Sequence, residues 1–329
     1  MTKKAKHSRL TQVFQDATRI PFTNQDRIVF FSDTHRGDNS WADEFARNES
    51  IYTHALRHYY DAGFTYVEVG DGDELMKFRY IEAIRIAHEQ VYRQLQKFHQ
   101  AGRLHYIHGN HDIEYRNPNS LANQLNHLFN PYTDDTEILF NDFTVHEGLR
   151  FVHQESGVEF FVTHGHLGEF WSDRFAWLSR ILLYRLWRPL QLLGFQDPAS
   201  VAKNPSQRQK IELQLIDWVK QEQQPLICGH THDERFPLNG DPPYFNTGSC
   251  VHPRWITGIE IKNGRIALVR WRIKTRKKGD LFVKRKVIGG PVEIGVFGLE
   301  KVEPAPTPTV SAQEHGKDPT SREPLSPGD

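Results

Sequence analysis

The chain has 329 residues, enough for one large domain or two modest ones, and its 38% hydrophobic and 25% charged composition is that of a soluble globular protein. Its 41 Lys and Arg balance 41 Asp and Glu, which excludes bulk charge as a basis for polyanion binding. Two cysteines, Cys228 and Cys250, exclude a disulfide framework and, with no apolar signal or membrane-spanning run, predict a cytoplasmic protein.

Residues 1–26 read as a basic leader with a short helix around Leu10–Ala17, ended by Ile20-Pro21. Arg27–Ser32 is an apolar run of strand length, followed at once by Asp33-Thr34-His35-Arg36-Gly37-Asp38. Asp43–Ala62 has helical character. Thr65–Val69 reads as a strand and runs directly into Gly70-Asp71-Gly72-Asp73-Glu74. A long helix is expected over Met76–Gln100, then a third strand, Leu104–His108, which delivers Gly109-Asn110-His111-Asp112. Strands alternating with helices imply a largely parallel sheet, with its ligand site at the carboxyl ends of the strands.

A helix is expected from Asn117 to about Asn130, then strands over Glu137–Phe140, Leu149–His153 and Val158–Thr163, the last ending in Thr163-His164-Gly165-His166. Asn204-Pro205 supplies a cap and first residue for a helix running to about Gln223. Pro225–Cys228 is a brief strand that ends in Gly229-His230-Thr231-His232. Tyr244–Thr247, Trp255–Lys262 and Arg265–Lys274 complete the strands, the last two joined by an Asn263-Gly264 turn. Arg270–Lys278 is basic and reads as the solvent face of a strand; the tail over 303–329 is rich in Pro, Ser and Thr and is expected to be disordered.

Five polar clusters therefore stand at five expected strand ends: Asp33/His35, Asp71, Asn110/His111, His164 and His230/His232. Each alone is an ordinary turn. Together they supply carboxylate, amide and imidazole but no thiolate, a set suited to Mn, Fe or Zn ions. With a carboxylate able to bridge, it suffices for two metals about 3.5–4 Å apart.

Asp33-x-His35, Gly70-Asp71, Gly109-Asn110-His111-Asp112, His164-Gly165 and Gly229-His230-x-His232 together resemble the calcineurin-like metallophosphoesterase superfamily over about residues 27–275. The resemblance implies a four-layer α/β/β/α sandwich. It assigns Asp33, His35 and His232 to one divalent metal and Asn110, His164 and His230 to the other, with Asp71 bridging. It makes His111 the proton donor and Asp112 its orienting carboxylate. Two ions so placed, manganese foremost with iron or zinc as alternatives, turn a shared water into a hydroxide that attacks phosphorus. One departure is Gly70-Asp71-Gly72-Asp73-Glu74 where the family has Gly-Asp-x-x-Asp, which leaves the roles of Asp73 and Glu74 open.

The implied function is hydrolysis of a phosphate ester or pyrophosphate bond in a small or lipid-linked substrate by a domain over 27–302, with a helical insertion at 168–223. Within 168–195, Trp171, Phe175, Leu178, Leu182 and Leu186 share a helix face flanked by Arg174, Arg185 and Arg188. That segment reads as a buried or dimer-interface helix, or as a lid touching an apolar substrate or the inner membrane surface. Such insertions resemble those of bacterial UDP-2,3-diacylglucosamine pyrophosphohydrolases more than anything in protein phosphatases, although that group commonly has Arg where this chain has His111. The alternatives are a serine/threonine protein phosphatase or a nuclease, and a non-catalytic scaffold of the same fold. Filled ligand positions argue against the scaffold, and no strong nucleic-acid signal is present.

Overall fold

Short aromatic and β-branched runs form β2 (Arg27–Phe31), β3 (Thr65–Val69) and β4 (Leu104–Ile107), parallel neighbours in a seven-stranded sheet. β12 (Ile256–Lys262), β13 (Arg265–Thr275) and β14 (Leu281–Glu293) extend one edge as antiparallel strands, and β7 (Val145–His146) closes the other. A second sheet has the order β1 (Thr18–Phe22), β8 (Gly148–His153), β9 (Glu159–Thr163), β10 (Leu226–Cys228) and β11 (Tyr244–Asn246). β5 (His127–Asn130) and β6 (Asp135–Ile138) form a separate antiparallel pair. These elements come from a computed structural model that describes residues 3–78, 80–120, 125–130, 133–166 and 204–298. The apolar helix expected over 168–195 and the tail over 303–329 lie outside the described residues.

Side-chain alternation builds the layers. Ile28 and Phe30 of β2 pack between the sheets with Phe151, Val162 and Phe245. Their neighbours Val29 and Phe31 pack the other way, with Tyr52 and Leu56 of α2 (Glu49–Asp61) and Leu95 of α4 (Glu89–Gln100). On the outer face of the five-stranded sheet, Leu10 and Val13 of α1 (Lys3–Asp16) join Leu215 and Trp218 of α5 (Pro205–Glu222) against Phe161 and Leu226. Helix, sheet, sheet, helix is the four-layer order expected. Asn204 caps α5, its side-chain oxygen accepting from Gln207 N at 3.3 Å with Pro205 in the first turn.

Several elements differ from the sequence reading, each for a local reason. The short helix expected around Leu10–Ala17 is α1, but Ile20-Pro21, read as its stop, lies inside strand β1; among the described residues β1 pairs only with β8 at the sheet edge, where proline costs no ladder bond. β14, with Gly289-Gly290-Pro291 inside it, is likewise an edge strand. The helix expected from Asn117 to about Asn130 begins where expected, with 118–120 helical after a 3-10 turn at Ile113–Arg116, but the end of that range is strand β5; Leu125 and Leu128 are spaced as on a helix, and pairing with β6 overrides that spacing. Only Glu49–Asp61 of the expected Asp43–Ala62 helix forms, because the Asp43 carboxylate accepts from the backbone N–H of Asn39, Phe45 and Ala46 and holds that stretch in turns.

The long helix expected over Met76–Gln100 starts only at Ile81 and is broken at His88 into α3 (Ile81–Ala87) and α4. The buried His88 ring donates to Asp43 at 2.8 Å and lies 3.3 Å from Glu49, and despite burial these carboxylates raise it from 6.5 to about 9. That rise corresponds to about 3 kcal/mol of stability at 1.36 kcal/mol per pH unit, present below pH 6.5 and lost as pH climbs through about 9. The stability gap between the parent and His88→Gln, read from urea midpoints, is accordingly wide near about pH 6 and closes near about pH 10. An unchanging gap would assign His88 to packing alone.

Candidate metal centre

Both sheets present the carboxyl ends of their parallel strands to one side, and every candidate ligand leaves a strand there: Asp33 and His35 after β2, Asp71 after β3, Asn110 after β4, His164 after β9, His230 and His232 after β10. Backbone bonds tie these turns together, Asp33 N to Gly70 O at 3.1 Å, His35 N to Asp71 O at 2.9 Å and Gly229 N to His164 O at 3.0 Å. Among the described residues ten non-glycines have positive φ, and Asp33, His35, Asp71, His230 and His232 are five of them. Such backbone costs of order 1–3 kcal/mol each and persists where surrounding structure enforces it, which marks this edge as a site rather than a set of loops. Gly109 permits a close approach at the site: a Cβ there would sit 2.0 Å from Asp71 Oδ1.

The side chains converge. Asp33 Oδ1 lies 3.0 Å from His232 Nε2 and 3.7 Å from His35 Nε2. Asp71 Oδ2 lies 3.1 Å from His164 Nε2, 3.7 Å from His35 Nε2 and 3.9 Å from His111 Nε2. Three groups have ligand atoms close enough for one ion: Asp33, His35 and His232; His35, Asp71 and His111; Asp71, His164 and His230. Asp71 is the carboxylate shared by two of them. Its Oδ1 is turned away and accepts from His111 N at 2.8 Å.

Charge and hydrogen bonding fit a pair of divalent cations. Asp33 Oδ1, Asn110 Oδ1 and His164 Nε2 are buried and make no hydrogen bond, a cost of about 1–3 kcal/mol each unless something else binds them. His164 Nδ1 donates to the Val69 carbonyl at 2.9 Å, which leaves Nε2 as the lone-pair atom of the neutral ring. Burial opposes ionisation of Asp33, yet His232 and His164 hold it well below the carboxylate range; Asp71 is lowered in the same way by His164 and His111. Against burial, Asp71 and Asp33 in turn push His164 up to about 9, so protons and cations compete for its Nε2. The donor set is oxygen and imidazole without thiolate, which suits first-row divalent ions.

Asp112, expected to orient His111, has its hydrogen bonds elsewhere than the His111 ring. It is buried, and its carboxylate accepts from Gly109 N at 2.6 Å, Gly72 N at 2.9 Å and Tyr106 Oη at 3.0 Å. Backbone amides claim it first. The carboxylate facing His111 is Glu74, which accepts from His111 Nδ1 at 2.7 Å and from His35 Nδ1 at 3.1 Å. The signal available in the sequence was its place, three residues after Asp71. Asp73 is structural: fully buried, it accepts from Arg36 Nε, Tyr92 Oη and Tyr115 Oη, each at 2.6 Å, while Arg36 also reaches Glu68 at 2.9 Å. Thr247 Oγ1 lies 2.6 Å from Ser32 Oγ, which hydrogen-bonds Asp33, so the Asn246–Ser249 loop supports the site from behind. Cys228 is a core thiol, pushed by burial up to about 12.

Residues 26–234 match the family model of calcineurin-like phosphoesterases, more than half of the chain. No curated protein sequence matches it. Among solved structures it is similar to Vps29 of Chaetomium thermophilum, with 9% identity and a TM-score of 0.37 over 80% of this chain and 96% of that one. It is also similar to a protein described as a candidate 5'-nucleotidase from Staphylococcus aureus in complex with alpha-ketoglutarate, with 15% identity and a TM-score of 0.31, over 80% of this chain and 54% of that one.

Proposed function

The chain belongs to the calcineurin-like phosphoesterase family, whose members hydrolyse phosphoesters with divalent metals, and from that premise we propose that it cleaves a phosphate ester or pyrophosphate bond in a small or lipid-linked compound. The observation that carries the reading is Asp71, shared by two potential ligand groups, with the His111 ring at their solvent side. Asp33, His35 and His232 would hold one ion and Asn110, His164 and His230 the other, with Asp71 reaching both. Bound there, two divalent ions, manganese foremost, lower the pKa of a shared water and neutralise phosphate oxygens. His111 does the rest. Glu74 fixes the proton on Nδ1, so in the protonated ring Nε2–H is the group turned toward the metal-ligand cluster, and its 21% exposed side chain meets incoming substrate. It donates that proton to the leaving oxygen.

Relation to UDP-2,3-diacylglucosamine pyrophosphohydrolases, a cytoplasmic protein touching the inner membrane face, and substrate selection by the insertion at 168–223 belong to the same proposal. Among the described residues no helix is long and apolar enough to cross a membrane. The test is His111→Ala, assayed with manganese on esters of good and poor leaving groups, with metal content measured alongside. Turnover on the poor leaving group falls by about 10²–10⁴ and on the good one by much less, while metal content stays at the parent level. Loss of an ion instead would make His111 a ligand, as the group it forms with His35 and Asp71 permits.

A further inference from the structure

The proposed chemistry leaves the basic ribbon of β13 and β14 unused. Its position follows from register. β12 runs antiparallel to β2, so Ile256 stands at the carboxyl end of β2, the end that carries Asp33 and His35. Trp271 pairs with Ile256, and β13 continues for four more residues to Thr275, about 13 Å at 3.3 Å per residue. The turn between β13 and β14 therefore projects on the side to which the candidate ligands converge.

The ribbon's charge is arranged against its own stability. Arg272 stands directly opposite Lys284 and Arg270 opposite Lys286, and like charges in such pairs repel. Arg270 has Glu234 at 2.6 Å, but Arg272, Lys274, Lys277, Lys278, Lys284 and Lys286 have no carboxylate partner among the described residues. Lysines on an edge strand discourage sheet-to-sheet aggregation, but that need is met at the outer edge and does not call for cations on both strands or in the turn. On the ribbon's other face and next to its turn, apolar side chains stand exposed, Ile273 at 45% and Leu281 at 70%. Trp41 at 84% and Tyr80 at 66% are exposed in the connections that leave β2 and β3 at the same end.

We propose that this end of the molecule docks on an anionic phospholipid bilayer, the β13–β14 ribbon meeting headgroup phosphates and its aliphatic tip entering the interface. Cations alone would equally suit a nucleic acid. Exposed Leu281 and Ile273 decide for lipid, because a headgroup layer accepts both charge and aliphatic side chains, whereas phosphodiester backbones accept only the charge. The inference stands on register and charge and does not require the lipid-linked substrate reading.

The full chain is sedimented with vesicles of phosphatidylcholine alone and of phosphatidylcholine with phosphatidylglycerol, at rising salt. It is expected to bind only the anionic vesicles, and less as salt rises. The turn variant Lys277→Glu/Lys278→Glu and the independent variant Lys284→Glu weaken binding, the first by more than about tenfold, while Lys277→Arg/Lys278→Arg retains it. Hydrolysis of p-nitrophenyl phosphate by all three stays at the parent rate, which reads the catalytic proposal separately. Equal binding to neutral vesicles, unchanged binding by both charge reversals, or retention of a duplex oligonucleotide in place of vesicles would overturn the docking assignment. Loss of soluble hydrolysis together with binding would overturn it too, by placing the ribbon in the substrate site.

Discussion

Asp71→Asn leaves about a thousandth of the parent turnover and no more than one of two bound metal ions. The substitution keeps the side chain's volume and an oxygen to accept from His111 N, and asparagine tolerates the left-handed backbone at this position, φ 52°. What it removes is charge at the point where two ligand groups meet, 3.1 Å from His164 Nε2 and 3.7 Å from His35 Nε2. A thousandfold is about 4 kcal/mol, the scale of transition-state charge stabilisation by bound metal ions. Because Asp71 is the largest charge raising His164 against burial, the variant's His164 also titrates lower, so protons compete less with cations for its Nε2. That lesser effect works against the loss of metal, so metal analysis across pH separates the two: a bridging carboxylate predicts depleted metal at every pH, and a merely electrostatic one predicts recovery near neutrality. Full metal occupancy with parent-like turnover would remove Asp71 from the centre.

The centre was largely legible because its grammar is local. A β-branched and aromatic run of strand length such as Arg27–Phe31 or Thr65–Val69 reads as a buried strand, and the polar residues directly behind it then lie at the strand's end. Five such ends in one sandwich converge whatever the intervening chain does. What the sequence concealed were outcomes of competition between distant partners. Periodicity runs unbroken through His88, where the helix breaks and the ring meets Asp43 and Glu49, partners distant in the chain. Pro21 reads as a terminator until its strand is known to lie on a sheet edge. Asp112 sits next to His111 in the chain, yet the amide of Gly72, 40 positions away, takes its carboxylate. Adjacency in sequence pointed to Asp112, whereas the carboxylate that hydrogen-bonds the His111 ring is Glu74, three residues after Asp71.

Glu74→Gln lowers turnover by about 10–100-fold, the range found when a carboxylate behind a metal-binding or catalytic imidazole is lost. One carboxylate serves two rings here, accepting from His111 Nδ1 at 2.7 Å and His35 Nδ1 at 3.1 Å, with Lys77 Nζ 3.6 Å away. Burial opposes its charge, but His111 and Lys77 hold Glu74 well below the ordinary carboxylate range, so it stays a double acceptor at neutral pH. His111 uses Oε1 and His35 uses Oε2, and a carboxamide keeps an oxygen at only one of these places; the ring facing its NH2 must change tautomer or turn away. If that ring is His35, metal affinity falls with turnover. If it is His111, metal content holds and the loss is confined to substrates with poor leaving groups, reproducing His111→Ala in milder form. Glu74→Asp, shorter by one methylene, serves at most one ring and lands between the parent and Glu74→Gln. Asp112→Asn makes the contrast: its partners are two backbone amides and a tyrosine hydroxyl, so its cost appears in unfolding free energy and not in the dependence of rate on leaving group. If the two variants were interchangeable, with Glu74→Gln acting only on stability, the orienting role would return to the residue beside His111.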